Sequence, residues 1–141
     1  MSKILIDDFN YIYKNNNSNN FFKNKKILIT GASGFLGSYF SNYFFFKFKN
    51  LKLHSLFLND IKISKIKKNI ISPIDNSRVF FIKSDITNKE SEVFKIKNID
   101  IIIHAATIAS PTFYRKYPLE TAEANVDGLK NLLNFSLKKK N

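Results

Sequence analysis

Cysteine is absent from the 141 residues. That excludes disulfides and thiolate metal sites, and the two histidines, His54 and His104, cannot form a metal cluster by themselves. A thiol-free chain suits a reducing cytoplasm. Long apolar runs are also missing. No stretch of 18 apolar residues occurs, and the opening Met1-Ser2-Lys3-Ile4-Leu5-Ile6-Asp7-Asp8 carries two acids where a signal peptide needs an apolar core. A soluble, unexported protein without membrane contact is expected. Acids are few, 11 against 23 lysines and arginines, for a net charge of +12. Such an excess can release counterions from a phosphate backbone. Here the lysines are scattered among Asn, Ile and Phe, with no recognition motif or aromatic platform, so no nucleic-acid partner is expected.

Glycine is scarce as well, four in all, yet three of them fall at Gly31, Gly34 and Gly37. They follow the strand-like run Lys26-Ile27-Leu28-Ile29-Thr30 and precede an aromatic segment with helical spacing, a strand, turn and helix in succession. Each glycine has its own reason. At Gly31 the backbone must turn sharply, at Gly34 a missing side chain lets a ligand approach, and at Gly37 the helix can sit close to its strand. Free N–H groups at Ser33, Phe35 and Leu36, helped by the positive end of the helix dipole, would then face the oxygens of a pyrophosphate.

The rest of the chain alternates. Ile4 to Tyr13 reads as a short leader helix and Asn15 to Asn20 as a polar linker, so residues 1–24 stand before the domain that begins at Lys25. Strands are expected over Ile27 to Thr30, Lys52 to Leu58, Arg78 to Lys83 and Ile99 to His104. Helices are expected over Phe35 to Phe48, Ser64 to Ile71, from the Thr87-x-x-Glu90 capping box onward, and from Pro118 toward Lys139. This alternation, with near-continuous apolar strands, predicts an α/β fold: a Rossmann-type doubly wound parallel sheet covered on both faces, reaching only its fourth strand and that strand's helix within residues 25–141. A complete enzyme of this kind normally needs about twice the length. The fourth strand, Ile101 to Ile103, would form a sheet edge.

Three further places invite a ligand. Asp60 closes the second strand about 23 residues beyond Gly37, where dinucleotide folds put an acid on the adenosine ribose; this favours NAD over its phosphorylated relative. An ordinary turn acid is the competing reading, Asn59 is the alternative position, and Lys62 and Lys65 leave room for a phosphate. Asp85 and Ile86 follow the third strand, and there Asp85 could simply cap a helix start. At the tip of the fourth strand, the small side chains of Ala105 and Ala106, followed by Thr107, let a cofactor lie close. His104 beside them reads as a packed, hydrogen-bonded structural residue.

These motifs resemble the extended branch of the short-chain dehydrogenase/reductase superfamily, the NAD-dependent epimerase/dehydratase family. Thr30, the glycine spacing and Phe35-Leu36 carry the first part of the likeness. The stretch Ala109-Ser110-Pro111, Tyr114, Asn125-Val126-Asp127-Gly128 and Asn131 resembles the segment after the fourth strand in UDP-glucuronate decarboxylases. The resemblance spans Lys25 to Lys139 and implies an amino-terminal part of such an enzyme. It implies that Asp85 accepts from the adenine amino group while the Ile86 N–H reads a ring nitrogen, that Tyr114 lies near the sugar nucleotide, and that Thr107, Asn125 and Asn131 line the crevice. It also implies a homodimer through the helix begun at Pro118, and oxidation of a sugar hydroxyl by bound NAD with a Tyr-x-x-x-Lys pair as base. That pair belongs after a fifth strand. The one matching spacing here, Tyr43 to Lys47, lies on the helix after the glycine turn and is expected to be structural. The alternative is a non-catalytic dinucleotide-binding regulatory or scaffold module.

Overall fold

Four short apolar runs build one sheet: β1 (Lys26–Thr30), β2 (Ser55–Asp60), β3 (Val79–Lys83) and β4 (Ile101–His104). A computed structural model describes residues 3–70 and 77–138. All pairings are parallel and the strand order is β3-β2-β1-β4. Leu28 at the centre is level with Phe57 on one side and Ile102 on the other. Parallel neighbours need crossovers, and helices supply them: α2 (Phe35–Phe46) after β1 and α3 (Ile63–Asn69) after β2. The path steps outward from β1 through β2 to β3, then returns to the far side of β1. The reversal opens a crevice at the carboxyl ends of β1 and β4.

Alternation of side chains along each strand feeds two cores. Ile27, Ile29, Leu56, Leu58, Ile101 and Ile103 face one cluster together with residues of α2 and α3, whereas Leu28, Phe57 and Ile102 face the other with Leu132 and Phe135. The second layer belongs to α5 (Pro118–Leu137), which follows the short α4 (Pro111–Lys116). A sheet covered on both faces explains why its strands read as continuous apolar runs. Among the described residues β3 and β4 are the edges.

Several boundaries differ from expectation. β2 begins at Ser55 rather than Lys52, because Lys52 takes a left-handed φ of 53° that no strand accommodates. No α-helix follows Thr87: Asp85 Oδ1 accepts the Thr87 N–H and hydroxyl, and Asn88 Oδ1 accepts the Glu90 N–H, so local side-chain turns satisfy the backbone that a capping box would have used. Only one 3₁₀ turn forms there, Glu92–Lys95. The helix α4 was not expected; Pro111 at its first position suits a start. Ile71 and Lys139, the expected ends of α3 and α5, lie outside the described residues.

The leader helix is real, α1 (Lys3–Asn15), but it does not stand apart. Phe9 is fully buried, with the rings of Tyr39, Tyr43 and Phe46 centred 5.2, 5.6 and 6.0 Å away. Lys47, only 7 % exposed, donates from Nζ to Asn10 Oδ1 at 2.6 Å and lies over the Tyr13 and Phe46 rings. Burial, with Lys14 nearby, lowers its pKa. Through Phe9 and Asn10, α1 therefore contributes to the core over α2.

Candidate functional site

The turn after β1 is held by three close approaches of backbone. Gly31 has φ +67°, and a Cβ on it would come within 2.4 Å of the Ala105 carbonyl oxygen and 2.5 Å of the Ala106 nitrogen. A Cβ on Gly37 would lie 2.0 Å from the Gly31 oxygen. Both glycines thus serve close packing, Gly31 against the tip of β4 and Gly37 against the turn itself. Gly34 differs: it is the N-cap of α2, and a Cβ there would meet only the Gly31 oxygen, at 3.2 Å. Its open side is where a ligand can approach.

Inside this turn the Ala32 N–H donates to the Asn59 carbonyl and the Gly34 N–H to the Gly31 carbonyl. The Ser33 N–H, expected to face phosphate, donates to Asp60 Oδ2 at the end of β2, at 3.0 Å. The N–H groups of Phe35 and Leu36 make no hydrogen bond among the described residues. Two unspent donors at a helix N-terminus, beside a glycine, are the arrangement that takes a pyrophosphate. Phe35 and Leu36 themselves are exposed.

Asp60 sits beside this turn. Its Oδ1 accepts the Lys62 N–H at 2.9 Å while Oδ2 holds Ser33. The alternative, Asn59, is 1 % exposed and its Nδ2 donates to Ile82 O, Ser84 O and Ser84 Oγ, so it fastens β2 to the end of β3. At β3 the Asp85 carboxylate has one oxygen on Thr87, the Ser91 hydroxyl donates to the Asp85 carbonyl, and the Ile86 N–H has no acceptor among the described residues. The Ile86 side chain is buried beneath Gly128 of α5, where a Cβ would come within 2.7 Å of Ile86 Cδ1.

At the tip of β4, His104 Nδ1 is hydrogen-bonded to Thr30 Oγ1 at 2.8 Å and the Ala105 N–H donates to the Thr30 carbonyl. Burial lowers the His104 pKa, leaving a neutral imidazole that ties β4 to β1. Ala105 and Ala106 are half-buried and Thr107 is exposed at the mouth. Thus the glycine turn, Asp60, Asp85-Ile86 and Ala105-Ala106-Thr107 gather at the carboxyl ends of the four strands. Tyr114 on α4 and Asn125 on α5 are exposed, with no hydrogen bond to that group. Asn131 donates both amide hydrogens at 2.9 Å, to Ile86 O and Thr87 O, and so pins the loop after β3 instead of facing the crevice. Sequence reasoning passed over Asn42 and Asn69, which link α2, α3 and Ser33; the signal was a lone amide in the aromatic run of α2.

The family model described as NAD dependent epimerase/dehydratase matches residues 27–141. The chain belongs to that family. The bifunctional polymyxin resistance protein ArnA of Wigglesworthia glossinidia brevipalpis is 37 % identical over 121 residues, covering 84 % of this chain and 17 % of the relative. UDP-glucuronic acid decarboxylase 6 of Arabidopsis thaliana is 32 % identical over 120 residues, covering 85 % and 32 %. The chain therefore spans a third or less of the length of these relatives. Among solved structures, Pen from Bacillus thuringiensis superposes with a TM-score of 0.69 at 24 % identity over 85 % of this chain and 36 % of its own. The dTDP-glucose 4,6-dehydratase DesIV of Streptomyces venezuelae, solved with NAD and TYD, gives 0.69 at 22 % identity over 82 % and 36 %. Both share the fold. NAD is the cofactor of the epimerase/dehydratase family, and this chain's residues fit it: two unspent amides for the pyrophosphate, a carboxylate beside the turn and small residues where the strands end. The family match begins inside β1, so α1 lies outside it.

Proposed function

We propose that this chain is the NAD-binding part of a nucleotide-sugar-modifying enzyme, UDP-glucuronate decarboxylase-like first, with sugar-nucleotide dehydration or epimerisation as the neighbouring activities. The observation that carries the reading is the pair of unspent N–H groups at Phe35 and Leu36 beside Gly34 and Asp60. Identity of 31–32 % to UDP-glucuronic acid decarboxylases supports a nucleotide-sugar substrate, and the equal 32 % to a dTDP-D-glucose 4,6-dehydratase keeps dehydration beside decarboxylation. Bound NAD would supply a hydride acceptor for a sugar hydroxyl. The chain's own part is to hold its phosphates at Phe35 and Leu36, its ribose at Asp60 and its adenine at Asp85 and the Ile86 N–H, with Tyr114 and Asn125 toward a UDP-sugar. The exposed apolar residues Leu119, Val126, Leu129 and Leu133 on α5 support a homodimer in the whole enzyme. No described helix is long and apolar enough to cross a membrane, and a cytoplasmic setting suits the absence of cysteine.

The alternative is a non-catalytic dinucleotide-binding regulatory or scaffold module. The only Tyr-x-x-x-Lys spacing in the sequence, Tyr43 to Lys47, is enclosed beneath α1, away from the strand ends. Calorimetric titration of UDP-glucuronate, dTDP-glucose and glucose into the NAD-saturated chain separates the two. Heat from the nucleotide sugars and none from glucose is expected. NAD binding with no response to any nucleotide sugar would favour the module and overturn the leading reading.

A further inference from the structure

The phosphate-binding amides at Phe35 and Leu36 can act only if the peptide plane ahead of them is fixed. That plane, Ser33 to Gly34, is held at its N–H by the Gly31 carbonyl at 2.9 Å. The preceding N–H, on Ser33, is held by Asp60. Its carbonyl oxygen is approached from outside the turn by Asn69 Nδ2, at 3.4 Å. Asn69 is the last residue of α3, and its own carbonyl, one of those a helix end leaves unpaired, accepts from Asn42 Nδ2 at 3.0 Å. Asn42 is 5 % exposed on α2, and the same Nδ2 donates to the Ser38 carbonyl one turn back at 2.8 Å. A buried amide in a helix otherwise packed with aromatic rings costs free energy unless its hydrogen bonds are made, and here they run straight to the turn.

We propose that Asn69, with Asn42 behind it, is a positioning residue for the pyrophosphate-binding turn: Asn69, itself held by Asn42, holds the carbonyl of the Ser33–Gly34 peptide from the α2 and α3 side, while Gly31 holds that peptide's N–H and Asp60 the N–H of the peptide before it. This rests on the reading of the turn as the NAD site. It assigns the end of α3 a part in binding that neither residue makes by touching the cofactor. An amide at both positions is required because the link needs a donor at Asn69 toward Ser33 and a donor at Asn42 toward the end of α3.

The test compares ligands with and without the pyrophosphate. The chain and its Asn69→Ala, Asn42→Ala and doubly substituted variants are titrated with NAD, ADP and adenosine, and amide hydrogen exchange is followed across Ser33 to Leu36 without ligand. Asn69→Ala is expected to weaken NAD and ADP about tenfold, to leave adenosine unchanged, and to speed exchange at Gly34, with the double variant no worse than the more affected single one. Unchanged NAD and ADP binding in Asn69→Ala, or an equal loss for adenosine, would overturn the proposal while leaving the NAD site standing. If the unsubstituted chain bound neither NAD nor ADP, the site reading itself would fall. The exchange measurement decides the matter even where Asn42→Ala lowers stability, because Asn69 lies at a helix end with its side chain only half-buried.

Discussion

The α-carbon of Gly37 packs against the carbonyl oxygen of Gly31, so closely that a Cβ would lie 2.0 Å from it and 2.7 Å from the carbonyl carbon. Neither atom belongs to a flexible side chain. The first turn of α2 and the glycine turn must therefore separate if any side chain is added. Gly37→Ala is expected to cost about 1–3 kcal/mol or more, the range for overpacking a well-filled site. A urea melt measures it. An unchanged midpoint would mean that the helix is free to slide and that the turn is not built as described.

Tyr43 is buried and its hydroxyl has no hydrogen-bond partner among the described residues. Burial raises its pKa, so the phenol stays protonated. A buried hydroxyl left unpaired forfeits its water without recompense, and removing it is expected to be neutral or stabilising by up to about 1 kcal/mol. Thermal unfolding of Tyr43→Phe tests this. A clear loss of stability would show that the hydroxyl is paired, and a loss of NAD binding would reopen the reading of Tyr43 and Lys47 as functional.

Phe9 is the third case, fully buried among three aromatic rings of α2. Phe9→Ala is expected to destabilise by about 3–5 kcal/mol, the usual cost of deleting a ring from a core. Chemical unfolding should show one transition moved to lower denaturant. An unmoved transition would make α1 a detachable leader after all.

Burial holds the His104 pKa below its ordinary 6.5. The unfolded chain thus takes up a proton near that value while the folded chain resists until lower pH, so between the two the unfolded state binds more protons. Stability is therefore complete above about 6.5 and declines as pH falls through the window beneath it. Melting temperatures of the chain and of His104→Gln across pH 8 to about 5 test the sign. The difference between the two profiles should be flat above the imidazole range and should narrow on acidification. A constant difference would mean that His104 titrates normally.

What could be read from the sequence follows from periodicity. Ile27 to Ile29 and Ile101 to Ile103 are apolar at every position because both faces of the sheet are covered, and this, with Gly31, Gly34 and Gly37, sufficed for the parallel sheet and its turn. Local hydrogen-bond competition was not legible. Thr87 and Glu90 have the spacing of a capping box, but Asp85 and Asn88 take the same backbone first. Nor was the fate of Ser33, whose N–H is claimed by a carboxylate 27 residues away in sequence. The type and place of Asn131 fit the family pattern of a crevice residue; only the fold shows that both its hydrogens go to the carbonyls of Ile86 and Thr87. The packing of α1 was hidden by the Asn-rich segment behind it, although Leu5, Phe9 and Ile12 mark an apolar stripe.

The central claim is that unspent backbone amides at Phe35 and Leu36 hold the pyrophosphate of NAD, and Gly34 is the place to challenge it. A Cβ there would meet one atom, the Gly31 backbone oxygen at 3.2 Å, a tight contact whose cost the melting curves measure, while a carboxylate would occupy the anion's place. Calorimetric titration of NAD into the chain and into Gly34→Asp, with matched melting curves, is the direct measurement. Saturable heat from the unsubstituted chain and at least about a hundredfold weaker binding by the variant, nearly 3 kcal/mol, is the predicted result. Equal binding by both proteins would contradict it.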